Sequence, residues 1–151
     1  MTVGEVCNRE VITTTPFVSL VEAATLMKSC HVGDVVVVEE QGSQRVPIGI
    51  LTDRDIALAL VGRAVRLPYM RVSDVMSHDL VTAVEDENLR DAIARMQTHG
   101  VRRLPVVNAA GGLEGILTFD DVIELLSEEL WELAKLVATE QKRERRPREV
   151  L

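Results

Sequence analysis

The chain has 151 residues, of which 46% are hydrophobic, 27% charged and 3% aromatic, so it holds enough apolar side chain for one ordinary domain or two small ones sharing a core, and disorder is excluded. A formal charge of −7 argues against a nucleic-acid binder, whose affinity rests largely on neutralising phosphates. No apolar run reaches the ~18 residues that span a bilayer, and Glu5, Asn8, Arg9 and Glu10 rule out a signal peptide near the start, so a cytoplasmic protein without membrane contact is expected.

In chain order, a short strand is expected at Val11–Thr13. Ser19 then stands as an N-cap before Leu20, Ala23, Ala24 and Met27, which recur at helical spacing. The unbroken run Val35–Val38 reads as a strand buried on both faces. A polar turn leads to another strand ending in Gly49-Ile50-Leu51-Thr52, and a helix begins at Asp53. The stretch from Val61 to Arg71 reads as a link, with Pro68 non-helical near its end.

The pattern then starts again. Val3–Val38 aligns without a gap on Val72–Val107, a shift of 69 residues, with Val3, Thr13, Leu20, Ala23, Met27, Val32 and Val37 among the positions that recur. After a loop shortened by about three residues, Gly49-Ile50-Leu51-Thr52 returns as Gly115-Ile116-Leu117-Thr118 and Asp55 returns as Asp121. The second copy is expected to have a strand at Leu80–Thr82, a helix capped by Asn88 and stopped by Gly100, a strand at Leu104–Val107 and a last helix from Phe119. The fold class is therefore α/β (α+β): two tandem β-α-β-β-α units, residues 1–62 and 72–126, joined by residues 63–71. A unit of this size buries too little alone, so the two are expected to pack on each other. Residues 127–151 add a helix from Ser127 to Arg146 and a basic tail. Its stripe is Leu126, Leu130, Leu133, Ala134 and Val137, beside Trp131 and Ala138. Leading glutamates and closing Lys142, Arg143, Arg145 and Arg146 suit the helix dipole. That stripe either lies on its own module or meets a partner.

The recurring Gly-x-x-Thr-x-x-Asp admits two readings. As a capping box, Thr accepts from a backbone N–H and the acid three residues on reaches back, at about 1 kcal/mol per cap. As a ligand site, the strand-to-helix junction offers free N–H groups, the glycine lets a ring approach the backbone, and the carboxylate suits a ribose diol. The two readings are compatible.

The doubled unit with this motif resembles a tandem pair of cystathionine β-synthase (CBS) domains, a Bateman module, over about residues 3–126. The resemblance implies a regulatory module that binds AMP, ADP, ATP or S-adenosylmethionine in clefts between the repeats, and a homodimer. Carried over residue by residue, it places one cleft at Thr52, Asp55, Asp79, Leu80, Val81, Arg102 and Arg103. The other falls at Thr118, Asp121, Glu10, Val11, Ile12, Gly33 and Asp34. An arginine pair holds phosphate well, and an aspartate opposes it, so the first cleft is expected to take a phosphorylated adenosine. The second is expected to bind more weakly, to take an uncharged nucleoside or to stay empty, with Arg54 offering partial compensation.

No catalytic residue is assigned, since no activated nucleophile or acid–base pair stands out. No metal site is expected either, and Cys7 and Cys30 read as reduced, half-buried thiols. The expected function is a stand-alone sensor that signals nucleotide state to an unidentified regulated protein. The alternative is an interaction module with vestigial clefts that acts through its C-terminal helix.

Overall fold

A computed structural model describes residues 1–62 and 67–145. The first half contains α1 (Val3–Val6), β1 (Thr13–Thr14), α2 (Leu20–Cys30), β2 (Asp34–Gln41), β3 (Gln44–Thr52) and α3 (Asp53–Gly62). Short 3₁₀ turns follow at Leu67–Tyr69 and Val72–Asp74. The second half contains β4 (Ala83–Val84), α4 (Leu89–His99), β5 (Arg103–Val107), β6 (Leu113–Thr118) and α5 (Phe119–Arg145). Each half builds one three-stranded sheet, ordered β1-β2-β3 or β4-β5-β6. The first strand of each runs parallel to the second, and the second antiparallel to the third.

The long apolar strand is explained by its two faces. Val35 and Val37 pack into a core with Leu20, Ala23, Met27 and Leu51 of the same half. Val36 and Val38 turn the other way and meet Ile116 of the opposite sheet. The two sheets thus share a seam, and a strand with water on one face would not need four consecutive valines. In the second half Leu104 and Val106 join Ala92, Met96 and Leu117, while Val107 is only half-buried.

The helix caps fall where the sequence indicates. Ser19 Oγ accepts from the Glu22 N–H at 3.1 Å, and Asn88 Oδ1 accepts from the Arg90 N–H at 2.9 Å. Gly100 ends α4 with φ +63°, and the equivalent residue after α2, His31, takes the same left-handed conformation at φ +54°.

Three expectations change. The opening strands begin later, at Thr13 and Ala83, because parallel pairing starts only opposite Val36 and Val106. Val11, Ile12, Leu80 and Val81 precede the ladder outside any regular element. The C-terminal helix is no separate element: α5 runs unbroken through the boundary at 126 for 27 residues. Of the expected link and tail, residues 63–66 and 146–151, Arg146 included, lie outside the described residues.

The third change concerns which half each N-terminal segment serves. Val3 of α1 sits in the second core, with Ala83, Leu89 and Leu104. Met70, Val72 and Met76 sit in the first. Backbone bonds follow the same exchange. The Val3 and Gly4 N–H groups donate to Glu87 and Glu85 carbonyls, both at 2.9 Å. At the equivalent places the Val72 and Ser73 N–H groups donate to Val18 and Pro16, again at 2.9 Å. Arg9 adds an ion pair to Glu85. Each repeat therefore lends its opening segment to the other.

Candidate functional site: two clefts across the repeat interface

The exchange builds the clefts. Asn8 forms a two-bond bridge with Ile116, and its repeat equivalent Ser77 forms one with Ile50. Each bridge carries the following residues, Glu10–Ile12 or Asp79–Val81, past the strand-to-helix junction of the opposite repeat.

The first cleft has a volume of about 210 Å³ and gathers all seven residues expected there: Thr52, Asp55, Asp79, Leu80, Val81, Arg102 and Arg103. Ile50, Ser77 and Val101 complete the lining. The second, about 250 Å³, brings together Glu10, Val11, Ile12, Asp34, Thr118 and Asp121, with Asn8, Val32, Ile116 and Asp120. Gly33 is not among its lining. It stands against the Asp53 carboxylate instead, with 3.2 Å between a Cβ at Gly33 and Asp53 Oδ2. Arg54 lines neither cleft. The missed residues had a signal. Asn8 and Ser77, Val32 and Val101, Ile50 and Ile116 are equivalent pairs under the repeat, so any one of each pair implied the other.

At the first junction the capping box is complete. The Asp55 N–H donates to Thr52 Oγ1 at 3.1 Å, and the Thr52 N–H donates to Asp55 Oδ2 at 3.0 Å. Asp55 Oδ1 makes no bond among the described residues and remains able to accept from a hydroxyl. At the second junction the Asp121 N–H donates to Thr118 Oγ1 at 3.1 Å, with no return bond from Asp121 among the described residues.

Two expectations about the junction need correction. Free N–H groups were expected at the start of α3. Instead the Asp53 N–H donates to the Gly33 carbonyl at 2.9 Å, the Arg54 N–H to Asp53 Oδ1 at 2.8 Å, and the Asp55 N–H to Thr52. These three are engaged, so an anion in this cleft depends on side-chain cations. The glycines do not make room for a ring. A Cβ on Gly49 would lie 2.5 Å from the Ser77 carbonyl oxygen, and one on Gly115 2.8 Å from that of Asn8. They admit the exchanged backbone and line neither cleft.

Charge divides the two clefts. The first holds Arg102 and Arg103 with Asp55 and Asp79. The second holds Glu10, Asp34, Asp120 and Asp121 and, among the described residues, no lysine or arginine. Both arginines carry partners: Arg103 Nε lies 2.5 Å from Asp34 Oδ2, and Arg102 Nη2 lies 3.3 Å from Asp120 Oδ1, with the Arg102 guanidinium 4.8 Å over the Phe119 ring. No cluster of His, Cys, Asp and Glu suited to a metal occurs among the described residues. Cys7 and Cys30 are half-buried free thiols, and burial pushes the Cys7 thiol up. No helix among the described residues is long and apolar enough to cross a membrane.

Comparison with known proteins agrees with this geometry. The CBS domain family matches twice, at residues 3–62 and 72–128. The CBS domain-containing protein YhcV of Bacillus subtilis is 41% identical over 122 residues, 80% of this chain and 81% of that protein. An uncharacterized protein of Methanopyrus kandleri is 37% identical over 125 residues, and the match spans 83% of this chain but only 62% of that relative. Inosine-5′-monophosphate dehydrogenase of Methanocaldococcus jannaschii is 32% identical over 120 residues, which are 22% of the enzyme. Among solved structures, the CBS domain pair of protein MJ0100 in complex with 5′-methylthioadenosine and S-adenosyl-L-methionine superposes with a TM-score of 0.73 at 26% identity. The match covers 85% of this chain and 98% of that one. The double match and the 41% identity to YhcV show that the chain belongs to the CBS domain family as a tandem pair.

Proposed function

We propose that this CBS pair is a non-catalytic sensor that binds an adenosine nucleotide in the first cleft and passes its occupancy to a partner. One observation carries the reading. The cleft places an accepting carboxylate oxygen of Asp55 and the cations of Arg102 and Arg103 around apolar walls from Ile50, Leu80, Val81 and Val101. An adenine ring fits the apolar wall, a ribose diol the carboxylate, and a phosphate the arginines. AMP, ADP and ATP all present these three parts. S-adenosylmethionine, held by the MJ0100 pair, shares the adenine and ribose but has no phosphate for the arginines. The four carboxylates of the second cleft oppose a phosphate there, so one nucleotide per chain is expected. A cytoplasmic location suits such a ligand.

Sensing requires that the ligand bind one arrangement of the repeats better than another. Both clefts lie between the repeats, so occupancy acts on their relative angle. The apolar surface of α5 offers the place to read that change. Leu130, Trp131, Leu133 and Val137 are 54–68% exposed, and a groove of about 460 Å³ between α4 and α5 is lined by Ile93, Met96, Phe119, Ile123 and Leu126. A homodimer through these helices is part of the proposal. The same surface favours the second reading, an interaction module whose clefts are vestigial.

Thermal unfolding with AMP, ADP, ATP and S-adenosylmethionine tests the choice. A ligand at 100 times its dissociation constant adds about 2.7 kcal/mol, a shift of several degrees for a chain of this length. The shift should shrink in Arg103→Ala and in Asp55→Ala, each measured against its own unliganded baseline, because Asp55→Ala also loses a cap. No shift with any ligand rejects the sensor reading in favour of the interaction module.

A further inference from the structure

The two ion pairs described above share a pattern. In each, the arginine lines the first cleft and the acid lines the second. Asp34 and Arg103 are also equivalent positions under the 69-residue repeat, each at the start of its central strand. Asp34 stands opposite Thr52 in its ladder, and Arg103 opposite Thr118 in the other. Two identical repeats would set like charges, or none, against each other at this place. Here one copy carries an acid and the other a base, and the pair closes across the boundary between the clefts. The Asp34 and Arg103 side chains are 19% and 33% exposed, against 79% and 66% for Asp120 and Arg102. The inner pair is therefore the less screened of the two.

We infer that Asp34, and to a smaller degree Asp120, are internal competitors for the anion of the first cleft, so that they set its affinity from outside the Thr-x-x-Asp motif. The inference rests on the first cleft taking an anionic ligand. A phosphate that reaches Arg103 meets a guanidinium whose charge is already partly neutralised at Nε. Its remaining N–H donors can turn to the phosphate only by sharing the side chain with Asp34 or leaving it. When Arg103 and Arg102 turn to the phosphate, Asp34 and Asp120 lose their counter-charges and stand with Glu10 and Asp121 around the second cleft. Filling the first cleft thus makes the second more hostile to a second anion. By linkage, an anion forced into the second cleft weakens the first by the same factor. Unequal clefts and communication between them have a common origin in a charge reversal at one repeat position.

The test is isothermal titration of the full chain with AMP and, separately, with inorganic pyrophosphate. Asp34→Asn keeps the side-chain shape and removes the charge. It should tighten AMP about fivefold, the size of one weakly screened ion pair, and Asp120→Asn about twofold. Arg103→Ala should weaken AMP, and Asp34→Asn in that background should bring no gain, because the cation competed for is gone. An Asp34→Asn protein that binds AMP no more tightly than wild type, while AMP still binds, overturns the competition and leaves the nucleotide reading intact. Pyrophosphate that follows the fivefold pattern while AMP fails to bind upholds the competition and overturns the nucleotide reading. Absence of binding by both probes in every variant overturns both.

Discussion

Gly49→Ala is a strong test of the exchanged architecture, because the added methyl group has nowhere to go. Its Cβ would sit 2.5 Å from the Ser77 carbonyl oxygen and 3.1 Å from Met76 Sδ. The methionine can turn aside; the backbone carbonyl cannot, since Ser77 is held to Ile50 by bonds of 2.9 and 3.3 Å. Relief requires the exchanged segment to move out. Overpacking of a tight site costs about 1–3 kcal/mol, and each backbone bond weakened adds about 1 kcal/mol, so a loss of roughly 2–4 kcal/mol is expected. For a chain of this length that lowers Tm by about 5–15 °C. Thermal and urea unfolding give the value, with Gly62→Ala as the control. Among the described residues Gly62 has no neighbour within 4 Å of its added Cβ, and it has no positive φ, so that variant should stay within about 0.5 kcal/mol of wild type. Ser77 lines the first cleft, so Gly49→Ala should also weaken AMP binding. A Gly49→Ala protein as stable as Gly62→Ala would refute the placement of Ser77 on Ile50, and with it the exchange of segments.

The remaining predictions are smaller. Thr52→Ala breaks one bond of a reciprocal pair and should cost about 1–2 kcal/mol, whereas Thr118→Ala, with a single bond, should cost about 1 kcal/mol or less; chemical denaturation ranks them. His31 is exposed and left-handed where the second repeat uses glycine, so His31→Gly should stabilise the chain by about 0.5–1 kcal/mol, measured the same way. Replacing exposed Leu130 and Leu133 by glutamate should lower the mass seen by light scattering; an unaltered mass would remove α5 from the dimer contact.

Much of this architecture is legible in the residues because the chain states it twice. Four consecutive valines at 35–38 require cover on both sides, and the structure supplies it from α2 on one face and β6 on the other. Ser19, Asn88 and Gly100 announce helix ends through local chemistry, which needs no tertiary context. The candidate clefts were placed by the family resemblance that the repeated Thr-x-x-Asp carries; the residues themselves added the contrast between Gly33-Asp34 and Arg102-Arg103. What could not be read is which copy each opening segment joins. Val3 and Val72 are apolar in either arrangement, and only their tertiary partners decide it, the opposite cores together with the backbone bonds to Glu87 and Val18. The work of Gly49 and Gly115 was hidden for the same reason, since their close neighbour comes from the other repeat. Asp34 and Arg103 looked like independent occupants of two clefts; their pairing appears only when the repeats are laid face to face.

One consequence follows from the continuity of α5. Thr118 and Asp121 hold its root at the second cleft, and the same helix runs on to Arg145 without a break. At 1.5 Å per residue its 27 residues extend about 40 Å. Such a rod is a mechanical lever with its fulcrum at the second cleft. A tilt of about 10° at the root carries the far end through about 7 Å, more than one helical turn. A rearrangement of the cleft too small to disturb either core would thus reach the exposed apolar face as a displacement that a bound protein could register.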